Sequence, residues 1–340
     1  MAKILLTGAS GYIGSHTWLS FAEQGFTELI AVDDFSNSHP EIYDRLAAIS
    51  GLPVKHYDIS ILSPELDRVF AENPGISGVI HFAAHKSVPE SVQRPLEYFE
   101  NNVGGLIRVM QMCEKYGVGI FVFSSSCSVY GNIDILPVTE NTPLRTPQSP
   151  YAYTKRTGEE LLESWATASQ KVKVVNLRYF NPAGAYTGGQ LGELPGNRPA
   201  NLVPVLCNNA RNPETPFTVF GTDYNTPDGS CIRDYIHVSD IADAHVAAFV
   251  YASKSPEEYF FRTYNLGSES GTSVLEVIRV FSEENGVTLN YTLGPRRSGD
   301  VEAIWADCSL AHAELGWKPR RSLAEIMRSA WQWTLNYAKS

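Results

Sequence analysis

Two tyrosines and a lysine lie close together in the segment SPYAYTKRTGEE, which runs from Ser149 to Glu160. A phenol can donate or accept a proton, but its ordinary pKa near ~10 makes it a poor base at neutral pH unless a cation favours the phenolate. Lys155 could supply that cation for Tyr151 or for Tyr153. An aromatic pair entering a helix can also serve packing alone, so this segment leaves open both the role and the choice of tyrosine.

A glycine-rich segment near the start, TGASGYIG, indicates a second kind of chemistry. Gly8, Gly11 and Gly14 follow the first apolar run and open a helix-like stretch. Glycines at such a place let the backbone turn tightly and approach a pyrophosphate, whose charge the helix N-terminus favours. The second apolar run ends in Asp33, where a carboxylate accepts hydrogen bonds from both ribose hydroxyls and repels a 2′-phosphate. The combination favours NAD over NADP, with Asp34 as the competing carboxylate.

Alternating apolar and amphipathic runs must position these residues. The runs KILLTG, LIAVDD, GVIHFAA, GIFVFSSS and VKVVNLRYF predict short strands, with helix-like stretches between them. This alternation is typical of a parallel sheet wound by βαβ units, so we expect an α/β protein.

The second half of the chain has a different texture. From Asn181 to about Arg233, glycine, proline and asparagine become frequent, which favours ordered loops. The run VSDIADAHVAAFVYA then predicts a helix capped by Ser239, and TYNLGS predicts a strand that returns to the sheet. Two helical runs, SVLEVIRVFSEENG and SLAEIMRSAWQWTLNYA, are expected to complete a smaller second domain.

Composition excludes several classes of function. The chain has 340 residues, 43% of them apolar, and 27 basic against 37 acidic residues, giving a net charge of -10. Nucleic acid and anionic membrane are therefore not expected as partners. The five cysteines are scattered and show no metal-ligand spacing, so we expect a reducing compartment and no metal. With an apolar strand beginning at residue 3 and no run of 18 apolar residues, a cytoplasmic protein is predicted.

Longer motifs occur in a fixed order along the chain: TGASGYIGSH, HFAAHKSVPESVQRPLEYFENNV, FSSSCSVYG, SPYAYTK, RYFNPAGA, DGSCIRDYIHV and PRRSGD. On these motifs the chain resembles the extended short-chain dehydrogenase/reductase superfamily and, within it, the UDP-glucose (UDP-galactose) 4-epimerases over essentially its whole length. The resemblance implies a Rossmann-type doubly wound parallel sheet with a smaller mixed α/β C-terminal domain. It implies an NAD-binding domain over residues 1–180, rejoined at about 234–268, and a UDP-sugar domain over 181–340.

The resemblance also decides between the two tyrosines. The family's catalytic pair is a tyrosine followed four residues later by a lysine, which on a helix places both side chains on one face. Tyr151 with Lys155 has that spacing, so Tyr151 is the implied acid/base and Tyr153 a packing or positioning residue. The family's catalytic serine ends the triple serine, which implies Ser126 as the hydrogen-bond partner of the sugar 4-oxygen. Ser124 is then expected to face the cofactor.

Binding roles carry over position by position. On the cofactor side the resemblance implies Gly8, Gly11, Gly14, Tyr12 and Ile13 at the pyrophosphate, Asp33, Asn37 and Ser38 at the ribose, Asp58 and Ile59 at the adenine, and Phe82, Ala83, Lys86, Asn101 and Phe180 toward the nicotinamide. On the substrate side it implies Asn181, Asn201, Leu202, Phe220, Arg233, Arg297 and Asp300 around UDP. Two arginines suit a diphosphate, because a guanidinium binds phosphate oxygens bidentately. His85 and Pro89 depart from the family pattern.

The implied reaction inverts C4 of a UDP-hexose with no net oxidation. Tyr151 takes the 4-hydroxyl proton, and the C4 hydride passes to NAD and returns to the other face of the 4-keto sugar. A 4,6-dehydratase is disfavoured, because that family carries an Asp-Glu pair where this chain has Cys127 and Ser128. A UDP-glucuronate decarboxylase or epimerase is an open alternative, and a non-catalytic NAD-binding regulator is a remote one because the Tyr/Lys pair is retained. Family members form homodimers through two long helices, for which the stretches after Arg94 and after Tyr151 are expected to serve.

Substrate range is expected to depend on Ile304, in the segment PRRSGDVEAIWAD. Family members restricted to UDP-glucose and UDP-galactose tend to carry a tyrosine there, and members that accept N-acetylated sugars carry a smaller residue. Isoleucine leaves room for an acetamido group, although it could also be an ordinary core residue. The resemblance therefore predicts conversion of UDP-GlcNAc and UDP-GalNAc as well as of the plain hexoses.

Overall fold

The computed structural model describes residues 2–194, 201–297 and 300–338 of the chain. Its strands are β1 (Lys3–Thr7), β2 (Glu28–Asp33), β3 (Lys55–Asp58), β4 (Ile76–His81), β5 (Ile120–Ser126), β6 (Lys173–Tyr179), β7 (Asn181–Ala183), β8 (Phe217–Phe220), β9 (Ile232–His237), β10 (Phe260–Leu266), β11 (Gly271–Ser273) and β12 (Tyr291–Gly294). Within the described residues, seven of them form one parallel sheet in the order β10-β6-β5-β4-β1-β2-β3.

Helices cover both faces of this sheet. They are α1 (Tyr12–Glu23), α2 (Glu41–Ser50), α3 (Leu66–Glu72), α4 (Val88–Gln93), α5 (Pro95–Phe99), α6 (Gly105–Tyr116), α7 (Pro150–Ser169), α8 (Leu202–Arg211), α9 (Val238–Lys254), α10 (Val274–Asn285), α11 (Ser309–Leu315) and α12 (Leu323–Tyr337). Among the helices of the described ranges, none combines the length and the apolar character that crossing a membrane requires.

The sheet is apolar on both faces because side chains alternate along each strand. Leu6 and Val122 belong to the core cluster on one face, and Leu5 and Phe121 belong to the cluster on the other. All four side chains are fully buried. This two-sided burial explains why the sequence of the inner strands reads as continuous apolar runs, and it confirms the predicted Rossmann-type doubly wound sheet.

The strand order reverses between β1 and β4. From β1 the chain proceeds to β2 on one side, and β4 pairs with β1 on the other side. At such a reversal the loops after the two strands separate and leave a crevice at the carboxyl edge of the sheet. Gly8 follows β1 there, Phe82 follows β4, and Ser126 ends β5.

Two smaller sheets stand apart from the large one. One has the strand order β11-β9-β7, and the other pairs β12 with β8. Helices α8, α10 and α12 enclose a separate core cluster that includes Leu206, Phe281 and Met327. The chain rejoins the large sheet through α9, which packs on α1, and through β10.

Three local features differ from the sequence-based expectations or were not foreseen by them. Strand β3 was not predicted, because its sequence KHYD is polar; it lies at the sheet edge with three of its four residues exposed. Helix α8 lies within the region expected to be rich in loops. The prediction that Ser239 caps α9 is wrong: His237 has the extended backbone of a cap residue, and its Nδ1 accepts the backbone N–H of Ser239 at 3.1 Å. Ser239 lies inside the first turn, where a side chain cannot cap.

Candidate active site

Helix α7 sets the direction of the tyrosine and lysine side chains. Ser149 caps it by accepting the backbone N–H of Ala152 at 3.2 Å, and Pro150 occupies the first helical position. Tyr151 and Lys155 consequently lie one turn apart, with the Lys155 Nζ 5.9 Å from the centre of the Tyr151 ring. Tyr153 points elsewhere and is 42% exposed.

The C-terminal end of β5 lies against the N-terminal half of α7 and carries three consecutive serines. The hydrogen-bond partners of these serines differ. The Ser124 carbonyl oxygen accepts from the Lys155 Nζ at 2.7 Å, and the Ser124 hydroxyl contacts the Tyr179 hydroxyl. The Ser125 hydroxyl donates to a carboxylate oxygen of Glu159 at 2.5 Å. The hydroxyl oxygen of Ser126 accepts the backbone N–H of Ser128 at 3.2 Å.

Burial controls the charge of the two groups on α7. It raises the pKa of Tyr151 to about 12, and a hydrogen bond from Ser126 acts in the opposite direction by stabilising the phenolate. Burial also lowers the pKa of Lys155 to about 8, which the negative charge of Glu159 opposes. Lys155 therefore carries its proton at neutral pH. The phenol of Tyr151 carries its proton in the ligand-free protein.

The glycine loop forms a cradle that side chains would fill. A Cβ atom on Gly14 would lie 2.1 Å from the carbonyl oxygen of Gly8, and a Cβ on Gly8 would lie 2.6 Å from the backbone nitrogen of Ala83. Gly8 also has a φ of +72°, which glycine adopts without strain. The loop thus brings bare backbone to the crevice at the start of α1, which is the geometry that a dinucleotide pyrophosphate requires.

The Asp33 carboxylate is fixed at the end of β2. It accepts the backbone N–H groups of Ser10 and Phe35, each at 3.0 Å, and the Ser38 hydroxyl at 3.2 Å. Its cross-strand neighbour at the end of β3 is Asp58. Asp34 is exposed, and its carboxylate accepts the backbone N–H of Ser36 within its own turn at 3.0 Å.

The remaining predicted cofactor residues are distributed over several elements. Tyr12 and Ile13 begin α1, Asn37 is exposed in the loop after β2, Ile59 follows β3, Phe82 and Ala83 follow β4, Asn101 lies in a π-helical turn before α6, and buried Phe180 follows β6. The Phe82 ring lies 4.7 Å from the ring of His245. The ammonium of Lys86 is 3.0 Å from a carboxylate oxygen of Glu193 and 5.9 Å from the centre of the Tyr12 ring.

The predicted substrate residues come from the smaller sheets and α8. Asn181 begins β7, Asn201 directly precedes α8, Leu202 begins α8, Phe220 ends β8 and Arg233 lies in β9. Arg297 donates to the Asp300 carboxylate at 2.8 and 3.1 Å, and the Arg233 guanidinium is 3.7 Å from the same carboxylate. Both arginines therefore face the Asp300 carboxylate.

Ile304 is 5% exposed and belongs to the core cluster on one face of the large sheet. Its backbone N–H donates to the carbonyl oxygen of Ile232 at 3.2 Å.

Sequence reasoning missed the polar residues that support the site. The Asn102 side chain accepts from the His85 backbone N–H at 2.8 Å and donates to the His85 carbonyl at 3.0 Å and to the Thr154 hydroxyl at 3.1 Å. It thereby holds the loop that departs from the family pattern. A signal was present for Glu159, a carboxylate four residues after Lys155 on the buried face of a helix, but its partners are distant in sequence.

Comparison with known proteins finds relatives that match nearly the whole chain. The model of the NAD dependent epimerase/dehydratase family matches residues 4–267. The UDP-glucose 4-epimerase of Haemophilus influenzae is 42% identical over 337 residues, which cover 99% of this chain and 98% of that protein.

Solved structures of such enzymes have the same fold. A UDP-glucose-4-epimerase from Stenotrophomonas maltophila with bound NAD and formylated UDP-arabinopyranose has a TM-score of 0.96 and 39% identity, covering 100% of this chain and 99% of that one. The enzyme from Bifidobacterium longum in complex with NAD+ and UDP has a TM-score of 0.94 and 40% identity, with 99% of each chain covered. The expected resemblance is confirmed, and the chain belongs to the NAD dependent epimerase/dehydratase family.

Proposed function

We propose that the protein is an NAD-dependent epimerase that inverts C4 of a UDP-hexose, UDP-glucose and UDP-galactose being the primary pair. The observation that carries this proposal is the meeting of Tyr151, Lys155 and Ser126 beside the glycine-loop crevice. It occurs in a chain that matches the UDP-glucose 4-epimerase of Haemophilus influenzae over 98% of that protein's length. NAD, when bound, supplies a reversible acceptor for the hydride of C4.

Tyr151 is the group that exchanges a proton with the sugar 4-oxygen. Its pKa of about 12 makes it a proton donor in the ligand-free site, and positive charge brought by the ligands favours the phenolate that accepts a proton. The Ser126 oxygen accepts from the Ser128 N–H, which leaves the Ser126 hydrogen free to be donated. Ser126 can therefore donate to the Tyr151 phenol oxygen or to the sugar 4-oxygen, and so orient the transfer.

The cofactor residues hold the dinucleotide by backbone and by charge. The glycine loop receives the pyrophosphate, and the Asp33 carboxylate, which Ser10, Phe35 and Ser38 fix in place, receives the ribose hydroxyls. Ser38, Asn37, Asp58, Ile59 and the residues after β4 complete the site. Ser124 takes part through its carbonyl, which orients Lys155, and its hydroxyl is directed at Tyr179.

The UDP group is held by the arginine pair. Arg233 and Arg297 share the Asp300 carboxylate, and a diphosphate offers both of them a stronger anion with bidentate geometry. Asn181, Asn201, Leu202 and Phe220 surround the nucleotide from β7, α8 and β8. With binding energy placed on the UDP, the hexose itself can turn over between the two transfers of hydride.

Two segments of the chain divide the binding of cofactor and substrate in this proposal. Residues 1–180, with a return at about 234–268, serve the cofactor, and residues 181–340 serve the UDP-sugar. The seven-stranded sheet with β10 and the separate core beneath α8, α10 and α12 support such a division.

A homodimer and a cytoplasmic setting belong to the same proposal. The stretches after Arg94 and Tyr151 expose large apolar side chains, with Leu96 82%, Tyr153 42% and Phe99 39% exposed. Exposed apolar groups that cluster on one face are typical of an interface between subunits. All five cysteines are free thiols, which suits a reducing compartment.

The substrate range includes the N-acetylated UDP-hexoses. Ile304 takes the position at which a larger aromatic side chain would restrict the room beside the sugar. Its burial in the large core cluster means that its effect on the pocket passes through packing of the segment that pairs with β9.

Purified protein tests these proposals directly. Mass and absorbance measurements establish whether NAD(H) accompanies the protein, and the protein is then incubated separately with UDP-galactose, UDP-N-acetylgalactosamine and UDP-glucuronate. We expect the first two to be converted to their C4 epimers. Conversion of UDP-glucuronate alone, with or without release of carbon dioxide, would overturn the assignment in favour of the alternative enzyme class.

A further inference from the structure

A buried carboxylate connects the three parts of the catalytic corner, by which we mean the ends of β5 and β6 together with the first turns of α7. Glu159 lies one helical turn after Lys155 and is 5% exposed. One of its oxygens accepts from the Ser125 hydroxyl and from Arg178 Nε at 2.9 Å, and the other accepts from Arg178 Nη2 at 2.6 Å.

The partners of Glu159 are neighbours across the sheet. Ser125 in β5 stands in register with Arg178 in β6, so one carboxylate ties two strands to the helix. Ser125 lies between Ser124, whose carbonyl accepts from Lys155, and Ser126. The helix can approach this closely because Gly158 presents no side chain: a Cβ there would lie 2.7 Å from the Phe123 ring.

Charge in this corner is unbalanced without the carboxylate. The titratable groups around Lys155 are Tyr151 and Glu159 on α7, His81 on β4, and Arg178 and Tyr179 on β6. Burial keeps His81 and the two phenols neutral at physiological pH. Glu159 is therefore the carboxylate that pairs directly with Arg178 and lies one turn from Lys155, while Glu140 also interacts electrostatically with Arg178.

We propose that Glu159 is a positioning residue for the reaction, which holds Lys155 in its charged form and in contact with the triple-serine end of β5. It touches neither reacting atom. It acts through Lys155 by its charge and through Ser125 and Arg178 by its hydrogen bonds. This inference rests on the proposed epimerase function for its kinetic consequence, but not for its effect on Lys155.

The test combines a charge-neutral variant with its compensated form. E159Q removes the negative charge and breaks the ion pair with Arg178, and the double variant Glu159→Gln/Arg178→Met removes the ion pair as a unit. E160Q is the matched control, because Glu160 is the next residue on the same helix and 64% exposed. Two quantities are followed: the pH profile of kcat, and the titration of Lys155 by NMR of its labelled Nζ, assigned with Lys155→Met.

The sign of the shift follows from the burial of Lys155. Its pKa of about 8 is already lowered by burial, and loss of the opposing carboxylate lowers it further. In E159Q we expect the alkaline limb of kcat and the Nζ titration to move to lower pH by about one unit or more, a tenfold change in the protonation equilibrium. E160Q keeps both at the values of the unmodified protein.

The double variant separates positioning from structural support. We expect it to recover thermal stability while the Nζ titration and the alkaline limb stay displaced. Recovery of all three would overturn the proposal, because Glu159 would then only neutralise Arg178. If E159Q does not fold, the double variant decides alone. An NMR titration that moves in a protein without epimerase activity would support the role of Glu159 and count against the proposed function, so the two failures are distinguishable.

Discussion

The catalytic corner differs from a second charged region in how far its charged side chains are exposed to water. We call this second region the arginine rim; it is formed by Arg233, Arg297, Asp300 and Phe220. In the corner, Lys155, Glu159 and Arg178 are each no more than 6% exposed, and their polar atoms have partners from different elements. In the rim, the Arg297 side chain is 55% exposed and Phe220 is 43% exposed, whereas the Arg233 and Asp300 side chains are 16% and 15% exposed. Buried charges are held by fixed geometry, whereas exposed ones are screened by water. We therefore expect changes in the corner to act on kcat and changes in the rim to act on KM.

The largest effect is expected where the comparison is most direct, at the two tyrosines of α7. Tyr151→Phe should lower kcat by ~100-fold or more, because it removes a positioned acid/base, while the cofactor stays bound. Tyr153→Phe, at an exposed position on the same turn, should change kcat little. Steady-state kinetics with UDP-galactose and the NAD(H) content of each protein provide the check, and a reversal of the two effects would refute the choice of tyrosine.

A change in packing next to the rim should separate two substrates. Ile304→Tyr adds several heavy atoms at a buried position, and overpacking of that kind typically costs ~1 to 3 kcal/mol, a factor of ~10 to 200 in specificity. We expect kcat/KM for UDP-N-acetylgalactosamine to fall much more than kcat/KM for UDP-galactose. Ile304→Val serves as the control that keeps the β-branched shape. Equal losses on both substrates would show that Ile304 is an ordinary core residue.

Asp33 tests whether a half-buried carboxylate at the predicted cofactor site has effects like those of the buried charges in the catalytic corner. Asp33→Asn keeps the shape of the side chain but removes its charge and weakens the bonds from Ser10 and Phe35. A hydrogen bond to a charged group is worth ~1.5 to 3 kcal/mol, so NAD affinity should fall by about tenfold or more while NADP improves relative to NAD. Titration of cofactor-free protein with both dinucleotides measures this. If Asp34→Asn had the larger effect, Asp34 rather than Asp33 would determine the preference for NAD.

The smallest effect is expected in the rim itself. Arg297→Ala removes one of the two guanidinium groups proposed to hold the diphosphate, and a hydrogen bond to a charged group is worth ~1.5 to 3 kcal/mol. Because Arg233 remains, KM for UDP-galactose should rise by roughly tenfold with kcat nearly unchanged. Arg296→Ala is the matched control, because the Arg296 guanidinium lies over the Tyr224 ring at 4.1 Å and pairs with Asp223. A loss of kcat in Arg297→Ala would contradict the contrast between rim and corner.

The sequence predicts the inner strands and α7 well because their signals are local. Continuous apolar runs mark β1, β4, β5 and β6, and the Ser-Pro pair before Tyr151 marks the start of a helix. The carboxylate of Asp33 could be placed for the same reason, since it ends such a run.

The parts that the sequence did not predict depend on contacts between distant residues. Strand β3 is recognisable as a strand only through its pairing with β2, because its own residues are polar. The role of Glu159 emerges only when β5 and β6 bring Ser125 beside Arg178. The cap of α9 depends on the backbone angles of His237 rather than on the residue type that usually caps. In each case the deciding interaction is tertiary.

The phenol of Tyr12 forms a hydrogen bond that joins two parts of the fold beside the crevice. Its hydroxyl donates to the carbonyl oxygen of Gly184 at 2.6 Å and so joins the first turn of α1 to the chain that leaves β7. Any widening between the large sheet and the β11-β9-β7 sheet at this point has to break that bond. This hydrogen bond therefore couples the first turn of α1, directly after the glycine loop, to the smaller β11-β9-β7 sheet.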